Sequence, residues 1–189
     1  MPAVGSNGSD GNGSFSAGFL SDADLLNFFH QQSALPAGIE TSAAPPWIAI
    51  AGKEIGTRDF PGPQYNPRVV EYLKTVGFGQ NSDETSWCSA FVNWCMIQAG
   101  LKGTNLANAR SWLDWGEKLA TPRDGCVVVL WREAPSSWKG HVGFFDGWES
   151  GDRVRLLAGN QGGGVDWDEV CVATFPKARI LGYRWPSDA

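Results

Sequence analysis

A chain of 189 residues with 42% hydrophobic content can close one sizeable core with additions, so a single main domain is expected. Its 15 Lys and Arg against 20 Asp and Glu give a formal charge of -5 without any basic cluster, which argues against nucleic acid or an anionic membrane as the main partner. No apolar run approaches the length of a transmembrane span.

Residues 1–18 are dominated by Gly, Ser, Asn and Asp and cannot bury enough apolar area to offset the entropy of ordering; a flexible leader is expected. Ser21-Asp22-Ala23-Asp24 then has the form of a capping box ahead of Leu25, Leu26, Phe28 and Phe29, which predicts a short helix ending near Gln32. Residues 33–45 read as a linker. The domain division is therefore 1–45, leader with one helix and linker, and 46–189, main domain.

Within 46–189, Pro46 suits a first helical turn, Trp47, Ile50, Ala51 and Glu54 follow at helical spacing, and Gly56 can end the helix. Asn66-Pro67 reads as N-cap and first turn of a second helix carrying Val69, Val70, Leu73 and Val76. A third, amphipathic helical run starts at Cys88 and stops at Gly100, and a fourth helix is predicted over 108–118. After Pro122 the period changes, and strands are predicted at 126–131, 141–145, 153–157, 170–175 and 179–183. Helices first and an antiparallel sheet afterwards is an α+β order.

The chemistry-bearing residues are few. Cys88 sits at a helix start, where the amide dipoles favour a thiolate, and His141 lies in the apolar segment Gly140-His141-Val142-Gly143-Phe144, where an imidazole can act as base. His30, in the leader helix, has no comparable setting. A catalytic imidazole needs a third group to hold its ring, and Asn160 in Gly159-Asn160-Gln161-Gly162 follows the next strand, so a hairpin can bring it beside His141. Gln161 is the fallback for that role, and Asp146 a weaker acidic substitute. Glu84, Trp87 and Gln161 are the candidate substrate contacts.

The four cysteines show neither a CxxC pair nor metal-ligand spacing with histidine, so no metal and no cofactor is expected. Cys88 and Cys95 lie about 10 Å apart along one helix, too far to bridge. Cys126 and Cys171 open two strand-like runs and can in principle meet, although Cys95, Cys126 and Cys171 are read as buried reduced thiols. Asp83 and Glu84, with Asp59, invite a hard cation, but capping of the Cys88 helix accounts for the two adjacent acids.

Taken together, Pro46-Trp47-Ile48-Ala49-Ile50-Ala51, Gly56-Thr57-Arg58-Asp59-Phe60-Pro61-Gly62-Pro63, Asp83-Glu84-Thr85-Ser86-Trp87-Cys88-Ser89-Ala90-Phe91-Val92-Asn93-Trp94, Ala109-Arg110-Ser111-Trp112-Leu113, Gly140-His141-Val142-Gly143-Phe144 and Gly159-Asn160-Gln161 resemble the CHAP branch of the NlpC/P60 superfamily. The resemblance covers nearly all of 46–186 and none of the first 45 residues. It implies a papain-like α+β fold with helices packed on an antiparallel sheet, and cleavage of peptidoglycan amide bonds, either between muramic acid and L-alanine or within stem and cross-bridge peptides. By position it makes Cys88 the nucleophile, His141 the base and then acid, Asn160 the orienter, and the Cys88 amide an oxyanion donor. Some relatives act on other amides, such as glutathionylspermidine.

A non-catalytic module binding the cell wall or a partner, and a protein deamidase or transglutaminase-like effector, are the competing readings. The expected partners are peptidoglycan and a delivery or immunity protein, with the chain itself a monomer. No basic n-region precedes an uninterrupted apolar core, so work at the wall calls for a secretion apparatus or holin-type release.

Overall fold

The computed structural model describes residues 44–60, 65–78, 85–149, 152–162 and 167–187. The helix expected at 21–32 and nearly all of the linker at 33–45 lie outside the described residues, as do Asp83 and Glu84.

Helix α1, Pro46–Lys53, starts on its proline and buries Trp47 and Ala51. The Trp47 indole donates to Gly125 O at 2.8 Å and meets Trp185 edge-on at 5.0 Å, tying the helix to the sheet. Helix α2, Pro67–Lys74, is capped by Asn66, whose Oδ1 accepts from the Arg68 amide at 2.8 Å, and it buries Val69, Val70, Tyr72 and Leu73. Both helices begin where the sequence places an N1 proline, whose missing N–H costs nothing there.

Helix α3, Cys88–Gln98, departs from expectation, because every residue from Cys88 to Met96 is buried and the run is not amphipathic. It lies between α1 and α2 on one side and the sheet on the other, and a helix covered all round needs no solvent face. Its polar positions Ser89 and Asn93 are satisfied internally: Ser89 Oγ donates to Leu106 O at 2.7 Å, Asn93 Nδ2 donates to Ser89 O at 2.9 Å, and Asn93 Oδ1 accepts from the Asn105 amide at 2.8 Å. These bonds pin the following loop against the helix.

The expected fourth helix is only a six-residue 3-10 turn, Ala109–Asp114, capped by Asn108. The remainder becomes strand β1, Glu117–Leu119, paired with the last strand. Gly116 makes the break: its φ is +59°, and a Cβ there would stand 2.2 Å from Trp185 O. The other strands are β2 (Val127–Trp131), β3 (Gly140–Glu149), β4 (Arg153–Gln161), β5 (Glu169–Pro176) and β6 (Ile180–Trp185). They form one antiparallel sheet in the order β1-β6-β2-β3-β4-β5. Helices over an antiparallel sheet make this an α+β fold, as the sequence order implies.

Strand β4 has the strongest influence on the site. It runs on to Gln161, past the residue where the sequence suggests it stops, and its ladder with β5 slips between Ala158 and Gln161. A β-bulge at Gly159 and Asn160 sets two residues of β4 against one of β5. Asn160 has φ +59°, a left-handed conformation that Asn tolerates better than most residues.

Candidate active site

Cys88 is the first residue of α3 and is 4% exposed. The Val142 and Ser89 backbone amides face its thiol and favour the thiolate. His141, 5% exposed, is the second residue of β3, so the Val142 amide that meets the sulfur is the next along the chain from the imidazole. The structure thus brings Cys88 and the His141 segment together across the helix–sheet boundary.

The residue that holds the imidazole is Gln161, at 2.8 Å from His141 Nε2 to Gln161 Oε1. Gln161 Nε2 donates to Leu156 O at 3.0 Å and to Cys171 O at 2.8 Å, so its amide can turn only its oxygen toward the ring. An oxygen acceptor there requires the proton on Nε2, which leaves Nδ1 as the basic nitrogen of the neutral imidazole. The ring also rests on Phe175, with centroids 5.2 Å apart.

Asn160, expected in that role, serves the Cys88 helix instead. Its Oδ1 accepts from the Trp87 amide at 3.0 Å and its Nδ2 donates to Asp168 Oδ2 at 2.7 Å. The β3–β4 register pairs Phe144 with Leu157, and continuing it would set Asn160 opposite His141. The bulge inserts one residue and passes the imidazole to Gln161. Asp146 bonds Arg155 on the exposed part of the strand and is not the acidic substitute.

Trp87, expected as a substrate contact, is fully buried. Its indole donates to Asp59 Oδ2 at 3.0 Å, and Asp59 Oδ1 accepts from the Asp168 amide at 2.8 Å. A Cβ at Gly159 would lie 2.2 Å from Trp87 Cζ3, so the ring occupies the space that glycine leaves open. Trp87→Ala is expected to cost about 3–5 kcal/mol of stability, visible as a lower urea midpoint; an unchanged midpoint would show the ring to be dispensable. Asp168 carries no motif that marks it in the sequence, and only the fold sets it beside Asn160.

All four cysteines are free thiols, with Cys88, Cys95 and Cys126 buried and Cys171 half-buried. Burial holds the Cys126 thiol up at about 11. Burial also pushes the Cys88 thiol above its usual range, more than the Val142 and Ser89 amides and the Arg132 charge pull it down. His141 is pushed down to about 4, again mainly by burial, with the Gln161 bond opposing and Arg132 adding to the shift. The thiolate expected from the helix start is therefore not the resting state. Desolvation outweighs the helix dipole, and at neutral pH both groups are uncharged.

Two clefts open on this pair. One of about 530 Å³ is bordered by Cys88, Ser86, Asn108, Arg132 and Trp138. The other, about 340 Å³, is bordered by His141, Gln161, Asp168, Arg132 and Arg179. Arg132 and the 72% exposed Trp138 carry no signal in the sequence, because neither belongs to a recognisable spacing.

A cysteine at a helix start, beside a sheet histidine whose tautomer an amide fixes, is the arrangement of the papain-like amidases and peptidases. The family model of the CHAP domain matches residues 80–160, from ahead of the Cys88 helix through Asn160. Over that segment the chain is consistent with a CHAP-type member of the NlpC/P60-like amidase and peptidase group, whose domains are typically hydrolases. No curated protein and no solved structure matches the chain.

Proposed function

We propose that this chain is a peptidoglycan hydrolase that cuts an amide bond, either as an N-acetylmuramoyl-L-alanine amidase or as a stem or cross-bridge endopeptidase, with Cys88 as nucleophile and His141 as base. The observation that carries the reading is the fixed Nδ1 of His141 in the segment that meets the Cys88 thiol, with both residues bordering open clefts. His141 Nδ1 takes the thiol proton as sulfur attacks the carbonyl carbon, and the C–N bond then breaks with that proton passing to the leaving amine. Water, deprotonated by the same nitrogen, cleaves the thioester and returns the proton to sulfur.

The Cys88 amide lies in the first turn of α3, where the earliest helical bond runs from Phe91 N to Trp87 O, so it is not consumed by the helix and is the proposed oxyanion donor. The site of action in this reading is the cell wall, reached through a delivery system.

Digestion of purified muropeptides followed by mass spectrometry tests the reading and reports the bond. The expected result is paired amine and carboxylate fragments whose summed mass exceeds the parent by one water. Intact muropeptides, under conditions where a thiol reagent still labels Cys88, would overturn it.

A further inference from the structure

Arg132 follows directly on β2, where Trp131 pairs with Gly140 at the start of the His141 strand. It is exposed and borders both clefts. Its backbone amide is used, donating to Lys139 O at 3.2 Å. Among the described residues no hydrogen bond, ion pair or ring contact engages its guanidinium.

The neighbouring cations differ. Lys139 Nζ is paired with Glu133 at 2.5 Å, and Arg110 donates to Lys139 O at 3.2 Å and Pro135 O at 2.9 Å. Arg179 stacks over the Trp131 ring at 5.5 Å. Asp168, the acid bordering the His141 cleft, attracts Arg132 through space but makes its hydrogen bond with Asn160. A guanidinium without hydrogen-bond partners is a planar fork of donors suited to a carboxylate, and this one borders both the Cys88 cleft and the His141 cleft.

We propose that Arg132 is a specificity-determining residue that binds a free carboxylate of the peptide substrate within two residues of the scissile amide. The proposal rests on the amide-hydrolase reading and names the substrate chemistry of that site. A substrate carrying the carboxylate is held across both clefts, and its amidated counterpart loses one charge-assisted, two-pronged contact.

The test uses the full chain with Cys88→Ala, which cannot turn over, and two probes: N-acetylmuramoyl-L-alanyl-γ-D-glutamyl-L-alaninamide, whose one free carboxylate is the glutamyl α-carboxylate, and the same compound with that carboxylate converted to carboxamide. By titration calorimetry the acid is expected to bind about 10- to 100-fold more tightly. Adding Arg132→Gln is expected to bring the two probes within about 2-fold of each other by weakening only the acid, with Arg132→Lys recovering part of the difference. Equal affinity in the parent, no binding of either probe at millimolar concentration, or an equal loss for both on Arg132→Gln would overturn the proposal. Binding is read without turnover, so absence of muropeptide cleavage by the wild type would sink the hydrolase reading separately.

Discussion

Cys88→Ala is expected to lower kcat/KM for muropeptide hydrolysis by about 10⁵- to 10⁶-fold, the scale on which removal of a nucleophile collapses an acyl-transfer site. The fold should survive, because the change removes one buried sulfur from the edge of a core and leaves the Asn160 and Trp87 bonds intact. A thermal melt within a few degrees of the wild type, alongside lost turnover, is the combination expected. Cys88→Ser should be nearly as inactive: a neutral imidazole held near pKa 4 is a weak base for a hydroxyl, whose proton is held far more tightly than a thiol's. Residual activity within tenfold of wild type in Cys88→Ala would remove Cys88 from the chemistry.

The second large effect concerns the imidazole and its support. Gln161→Leu keeps the volume but removes the acceptor that fixes the proton on His141 Nε2 and the two donors to Leu156 O and Cys171 O. A fall of about 10²- to 10³-fold in kcat is expected, with KM little changed. Asn160→Leu should instead show first in stability, since it strips the Trp87 amide and Asp168 of their partner. A reversed outcome, with Asn160→Leu changing the pH profile and Gln161→Leu only the stability, would return the orienting role to Asn160.

The same imidazole sets two pH responses with one sign. His141 must be neutral to accept the thiol proton, so kcat/KM should rise through an acid limb near pH 4 and not near 6.5. Because the folded value lies below the unfolded one, the unfolded chain binds more protons between about pH 4 and 6.5, and stability is lost as pH falls through that window. At most about 3 kcal/mol is at stake, which urea titrations at pH 7 and pH 4.5 can resolve. A limb near 6.5 would mean a wetter site in which the imidazolium forms freely.

Much of this architecture was legible in residue order. Pro46 and Asn66-Pro67 marked two helix starts, and the run Val127, Val128, Val129, Leu130 announced a buried strand. Cys88 and His141 were identifiable because a thiol at a helix start and a histidine between glycines are local patterns. The bulge was not legible: an added residue in one strand changes which side chains share a face without altering composition or period, and so Gln161, the fallback, holds the imidazole in place of Asn160. The all-round burial of α3 was likewise hidden, since it depends on layers contributed by distant segments. Gly116 could have warned of the shortened helix at 109–114, but its conflict is with Trp185, far along the chain.

The bulge gives neighbouring residues of one strand opposite errands, Asn160 gripping the segment that carries the sulfur and Gln161 gripping the imidazole. The segment bearing the thiol and the imidazole are thereby both slung from a single short stretch of backbone. Sharing one support, the two are expected to move together when the sheet flexes.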